Sequence, residues 1–178
     1  MAMVFVELSI EETAMAKELA DATYERHRHQ AGQYRNLQRS HLVGKLGEVA
    51  VDKWLRQDGF AADPAYRDPE RERDPDVLVN GRGIAVKSWR PDTWGEWGRC
   101  VTPGQMPGLQ KKVLAIVWAV VDDERIPCQV EIAGWSTPDE VAAQEPQATG
   151  PAYRPVVNHQ VTVEQLREPR TLFELLRS

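Results

Sequence analysis

The chain has 178 residues, a formal net charge of −5, 42% apolar and 28% charged residues, and 12 each of glycine and proline. This composition excludes collagen-like and wholly disordered classes, and the length fits a single globular domain over residues 1–178. The longest apolar run, 113–121, is far shorter than the roughly 20 residues that span a bilayer, so a cytoplasmic protein with no membrane segment is expected.

Residues 3–8 alternate apolar and polar, and Ser9 followed by Glu12 has the pattern of a capping box. A helix is predicted from there to about residue 29, and Gly32 breaks it, so 1–35 reads as an N-terminal helical arm. A second helix begins near Asn36. Its Leu42, Leu46, Val49, Ala50 and Trp54 recur on one face until Gly59 stops it. The charged, proline-containing stretch 63–74 reads as a loop leading to a short strand, 77–79. Asn80-Gly81 then signals a hairpin into a second strand, 83–89.

A tryptophan- and glycine-rich loop is expected over 89–100, and a helical turn over 105–112. The run 113–121 suits a strand covered on both faces, with 129–135 as its neighbour across an Asp122-Asp123 turn. These four strands make a central sheet. A short helix is expected near Ser136 and a surface loop over 145–155. Residues 163–176 supply short helical pieces, so 143–178 reads as a C-terminal loop with short helices.

Cys100 and Cys128 have no CxxC spacing and read as reduced, structural thiols. His27 and His29 stand two apart in a helix, where they do not share a face. The charge is uneven: from Asp122 onward ten acidic residues face five basic ones, whereas 1–121 carries 17 of each. Within 24–45, Arg26, Arg28, Arg35, Arg39 and Lys45 oppose only Glu25, an excess suited to phosphate contacts.

Three polar positions are brought together by these elements: Glu48 on the second helix, Asp76 at the start of one strand and Lys87 on its partner. Carboxylates can hold a hard divalent cation, and a lysine beside them can orient a hydroxide, chemistry that suits a phosphodiester. Lys87 inside an apolar run requires a charge partner or a wet cleft.

Gly47-Glu48 on a helix, then Pro75-Asp76, then a hairpin into Ile84-Ala85-Val86-Lys87, resembles the PD-(D/E)XK nuclease superfamily over roughly residues 42–135. The resemblance implies an α/β, restriction-endonuclease-like fold, a mixed central sheet flanked by helices. It also implies a Mg2+-dependent (or Mn2+-dependent) endonuclease, with DNA as the expected partner and a 5′-phosphate product. By the same resemblance Asp76 and Glu48 are metal ligands, Val86 offers its main-chain carbonyl, and Lys87 is the catalytic lysine. Paired cuts in a duplex would favour a homodimer.

The departure is Ala85, where the family has an acidic ligand on the same strand face as the lysine. Three readings stand: a disabling substitution in an otherwise intact motif, a carboxylate supplied by Asp74, Asp92 or Glu96, or a nuclease-like module that binds nucleic acid without cutting it. Arg35, Arg39 and Lys45 are expected to steer the backbone. Trp89, Trp94 and Trp97, interleaved with Arg90 and Arg99, form a loop suited to stacking on bases or to packing over the sheet edge. Gln105 and Gln110 follow as candidates to face the cleft. A protein-binding adaptor built on the acidic C-terminal part is the third functional class.

Overall fold

The computed structural model describes residues 3–30, 37–153 and 155–178. Arg35 lies outside the described residues. Strand β1 (Val4–Glu7) leads into helix α1 (Ile10–His27), and the capping box is formed: the Glu12 N–H donates to Ser9 Oγ at 3.1 Å and the Ser9 N–H to Glu12 Oε2 at 2.8 Å. Helix α2 (Gln38–Gln57) buries Val43, Leu46, Val49, Ala50 and Trp54. Just beyond it, Gly59 takes a φ of 87°, a conformation that costs glycine little.

Strand β2 (Ala62–Asp63) and two 3-10 turns, Ala65–Arg67 and Pro69–Arg71, precede β3 (Val77–Val79). Asn80 and Gly81, with φ of 52° and 76°, turn the chain into β4 (Arg82–Trp89). Strands β6 (Val113–Asp122) and β7 (Gln129–Ser136) complete a six-stranded mixed sheet of order β1-β7-β6-β4-β3-β2. The four expected strands are therefore present, extended by β1 and β2 at the edges. Among the described residues only β4 and β6 run parallel. A parallel pair needs a crossover, and it is supplied by α3 (Pro91–Trp97), β5 (Cys100–Val101) and α4 (Met106–Lys112).

The strand alternation sorts the core into two layers. Ile84, Val86 and Val117 pack with Leu46, Val49 and Trp54 of α2 and with Leu172 and Phe173 of α6 (Thr171–Arg177). Ala85, Ile116 and Trp118 point the other way, toward Met106 of α4 and Val141 of α5 (Pro138–Ala142). Helices flank both faces, which is why β6 is apolar without interruption.

Two expectations are corrected. The loop over 89–100 contains α3, which has Pro91 and Asp92 in its first turn; seven residues with two tryptophans and Gly95 are too short to show a helical repeat. The loop over 145–155 contains β8 (Gln147–Thr149), paired with β9 (Val156–Gln160), and β5 joins β9 on its other edge in a small second sheet. A three-residue strand carries too little alternation to stand out among Pro, Gln and Gly. Among the described residues, no helix is long and apolar enough to cross a membrane.

Candidate functional site

Helix α2 crosses β4 at Gly47. A Cβ there would lie 1.9 Å from Ser88 Oγ, so only glycine allows this approach, and the buried Ser88 hydroxyl has no hydrogen-bond partner among the described residues. The close crossing delivers the next residue, Glu48, to a cleft of about 190 Å3 beside the start of β3. Lys45, Tyr66, Asp68, Asp74 and Asp76 share its lining with Glu48.

Asp76 stands where the β3–β4 ladder ends at Val77 and Ile84. Its Oδ2 accepts the Val86 N–H at 2.7 Å, replacing the next ladder bond, while its own carbonyl accepts from the Tyr66 N–H at 3.0 Å. In a strand a residue's N–H and C=O leave on the same edge, so the Val86 carbonyl also faces the end of β3. Burial raises the Asp76 carboxyl above its ordinary range, against the opposing pull of the Val86 N–H and of the Lys87 and Lys45 charges.

Glu48 has a side chain only 13% exposed, and its Oε2 accepts from Lys45 Nζ at 2.7 Å. Lys45 Nζ also reaches the Tyr66 carbonyl at 3.4 Å. Burial first, and the Asp76 charge second, push the Glu48 carboxyl up to about 8, although Lys45 and Lys87 both pull it down. Lys87 is partly buried on the sheet face opposite α2, in register with Trp118, and has no hydrogen-bond partner among the described residues. Its charge acts on both carboxylates. Glu48 and Asp76 thus share one cleft, whereas Lys87, on the other face of β4, is not among its lining residues and acts on both carboxylates through its charge.

The remaining sequence candidates divide. Ala85 is buried, its methyl packed in the second apolar layer with Ile116 and Trp118. Of the substitute carboxylates, Asp74 lines the cleft and pairs with Arg71 at 2.9 Å, Asp92 pairs with Arg90 at 3.0 Å, and Glu96 is exposed on α3. Arg39 and Arg90 are both engaged by Asp123 and Glu124, in a network that ties α2 and the end of β4 to the β6–β7 turn. Arg99 is 6% exposed and donates to the Val161 and Gly95 carbonyls, with its guanidinium 4.8 Å from the Trp94 ring centre. Trp89 packs between Trp94 and Trp118, at 6.2 and 5.8 Å, and Trp97 is half-buried. Gln105 is exposed before α4, and Gln110 donates to Asp139. The loop aromatics are therefore spent largely on packing, and Lys45 faces the cleft.

Two features escaped sequence reasoning. The Lys45–Glu48 pair was available as an i,i+3 spacing of opposite charges. The cleft wall formed by 64–75 was not, because its position depends on the Tyr66–Asp76 backbone bond. Among the described residues no group of three or more His, Cys, Asp or Glu side chains is arranged to hold a metal ion. Two carboxylates and a main-chain carbonyl are nonetheless an all-oxygen set, the kind that suits Mg2+ or Mn2+, since Mg2+ commonly uses one or two carboxylates and keeps several waters. Comparison with protein-family models, curated proteins and solved structures finds no match to this chain.

Proposed function

We propose that this protein is a Mg2+-dependent nuclease of the PD-(D/E)XK type, with a restriction-endonuclease-like fold, acting on DNA phosphodiesters. The observation that carries the reading is the meeting of Glu48 and Asp76 in one cleft at the end of the β3–β4 hairpin, with the charge of Lys87 acting on both. Two carboxylates in one cleft, raised mainly by burial and with Lys45 as the ammonium in direct contact, form an oxygen-lined recess that suits a divalent cation. Glu48 and Asp76 would hold the ion, with the Val86 carbonyl as a third oxygen. When bound, it supplies Lewis-acid polarisation of the phosphate and a more acidic water.

The protein's own groups do the rest. Lys87, whose ammonium has no hydrogen-bond partner among the described residues and whose charge acts on Glu48 and Asp76, would orient the attacking water and stabilise charge building on the phosphate oxygens. Lys45 holds the Glu48 carboxylate in place. The Val86 N–H fixes one oxygen of Asp76 and leaves the other for the ion.

A second reading, a nucleic-acid-binding module that does not cut, is favoured by one observation: the position of the family's acidic ligand holds the Ala85 methyl inside an apolar layer. Nicking of supercoiled plasmid in Mg2+ tests both. Wild-type protein is expected to nick, with Lys87→Ala and Asp76→Asn each reducing the rate at least about a hundredfold. Cutting that appears only in Ala85→Glu would favour the binding module, and cutting by neither would remove the nuclease reading.

A further inference from the structure

A second cavity, of about 270 Å3, lies further along α2 and is lined by Glu12, Asp52, Lys53, Arg56, Gln57 and Arg67, with Val49 at its floor. Its centre is Asp52, a carboxylate 2% exposed that accepts from Arg56 Nε at 2.7 Å, Arg67 Nη2 at 3.0 Å and the Tyr66 hydroxyl at 3.1 Å. Two guanidinium groups thus answer one carboxylate. The Lys53–Glu12 pair, at 2.7 Å, is neutral by itself. The cavity is left with one positive charge in excess.

The guanidinium groups are also held in place. Arg56 Nη2 donates to the Ala62 carbonyl at 2.5 Å, and Arg67 Nε to the Tyr66 hydroxyl at 3.1 Å. Among the described residues neither Nη1 has a hydrogen-bond partner. Two anchored guanidinium groups, each about half exposed, with a single surplus charge beside a cavity suit a singly charged oxyanion.

We propose that this cavity is a phosphate subsite that takes a backbone phosphodiester of the nucleic-acid strand whose scissile phosphate lies in the Glu48–Asp76 cleft, an assignment that rests on the nuclease reading above. Tyr66 lies between them: its carbonyl accepts from Lys45 in the cleft it lines, and its hydroxyl donates to Asp52, which lines the cavity. Residues 52–56 follow Glu48 by about 6–12 Å along the helix axis, roughly two to four phosphate spacings of one strand within duplex DNA.

Gln57 is exposed at the rim and makes no hydrogen bond among the described residues, so its charge can be changed without breaking a contact. Binding of a short fluorescein-labelled single-stranded DNA is measured by anisotropy in EDTA, across a salt series, with inorganic phosphate as competitor. Gln57→Glu is expected to weaken binding about fivefold and to flatten the logarithmic salt slope by about 0.7, with Gln57→Lys tightening it, and Arg67→Gln is expected to act like Gln57→Glu. The same change at Gln147 on β8, outside both cavities, leaves affinity unaltered.

Equal affinities for wild type and the Gln57 variants overturn the subsite, as does an equal shift at Gln147. So does inorganic phosphate that binds without displacing DNA. If the variants shift DNA binding while plasmid stays intact in Mg2+, the subsite stands and the catalytic reading falls. If plasmid is cut and the variants bind alike, the reverse holds.

Discussion

Glu48 and Asp52 stand one turn apart on the same face of α2, and both are largely buried carboxylates, yet their surroundings differ sharply. Asp52 receives two guanidinium groups and a phenol, so every part of it is answered. Glu48 receives one ammonium and faces a second carboxylate, Asp76, that is itself held by one backbone N–H. A buried carboxylate saturated with partners fixes the groups around it, here the two guanidinium groups whose free edges line the second cavity, whereas one with a single cationic partner in a cleft is itself free to act on a ligand.

That contrast can be broken most forcefully at Asp52. Asp52→Ala is expected to cost about 3 kcal/mol in urea unfolding, because it strands Arg56, Arg67 and the Tyr66 hydroxyl together; a loss below about 1 kcal/mol would mean the network is ornamental. Gly47→Ala is next. Its Cβ meets Ser88 Oγ at 1.9 Å, and an overpacking cost of about 1–3 kcal/mol is expected, partly restored by adding Ser88→Ala.

The Glu48 side of the contrast is sharpened by pH. The folded protein holds a proton on Glu48 up to about 8, well above the ordinary carboxyl value of 4.5, so the folded state binds more protons than the unfolded chain between those limits. Its stability contribution is full below about 4.5 and is lost as pH rises through about 8. Glu48→Gln in metal-free protein is therefore expected to raise Tm by several degrees at pH 8 relative to wild type and to change it little at pH 4.5. A shift equal at both pH values would contradict the raised Glu48 carboxyl. The smallest effect belongs to the surface network: Arg39→Ala, half exposed, is expected to cost no more than about 1 kcal/mol in thermal unfolding, and less in high salt.

Much of the fold was legible because its signals are local. Ser9 and Glu12 announce α1, Asn80-Gly81 announces the hairpin, and nine uninterrupted apolar residues announce the central strand. The elements that carry the candidate residues were legible too, since Glu48, Asp76 and Lys87 fall on the expected helix, strand start and strand. What could not be read is long-range. Arg99 turns inward because Val161, 62 residues away, offers a carbonyl, and Arg39 and Arg90 meet acids on a distant turn. Ala85 shares a strand face with Lys87, as the alternation requires, but that this face is covered at Ala85 depends on Ile116 and Trp118.

The most direct measurement is a calorimetric titration of metal-free protein with Mn2+ at neutral pH, using wild type, Asp76→Asn and Asp52→Asn. One site is expected in wild type, lost in Asp76→Asn and retained in folded Asp52→Asn. Absence of binding in wild type, or binding that survives Asp76→Asn unchanged, would contradict a divalent-cation site at Glu48 and Asp76.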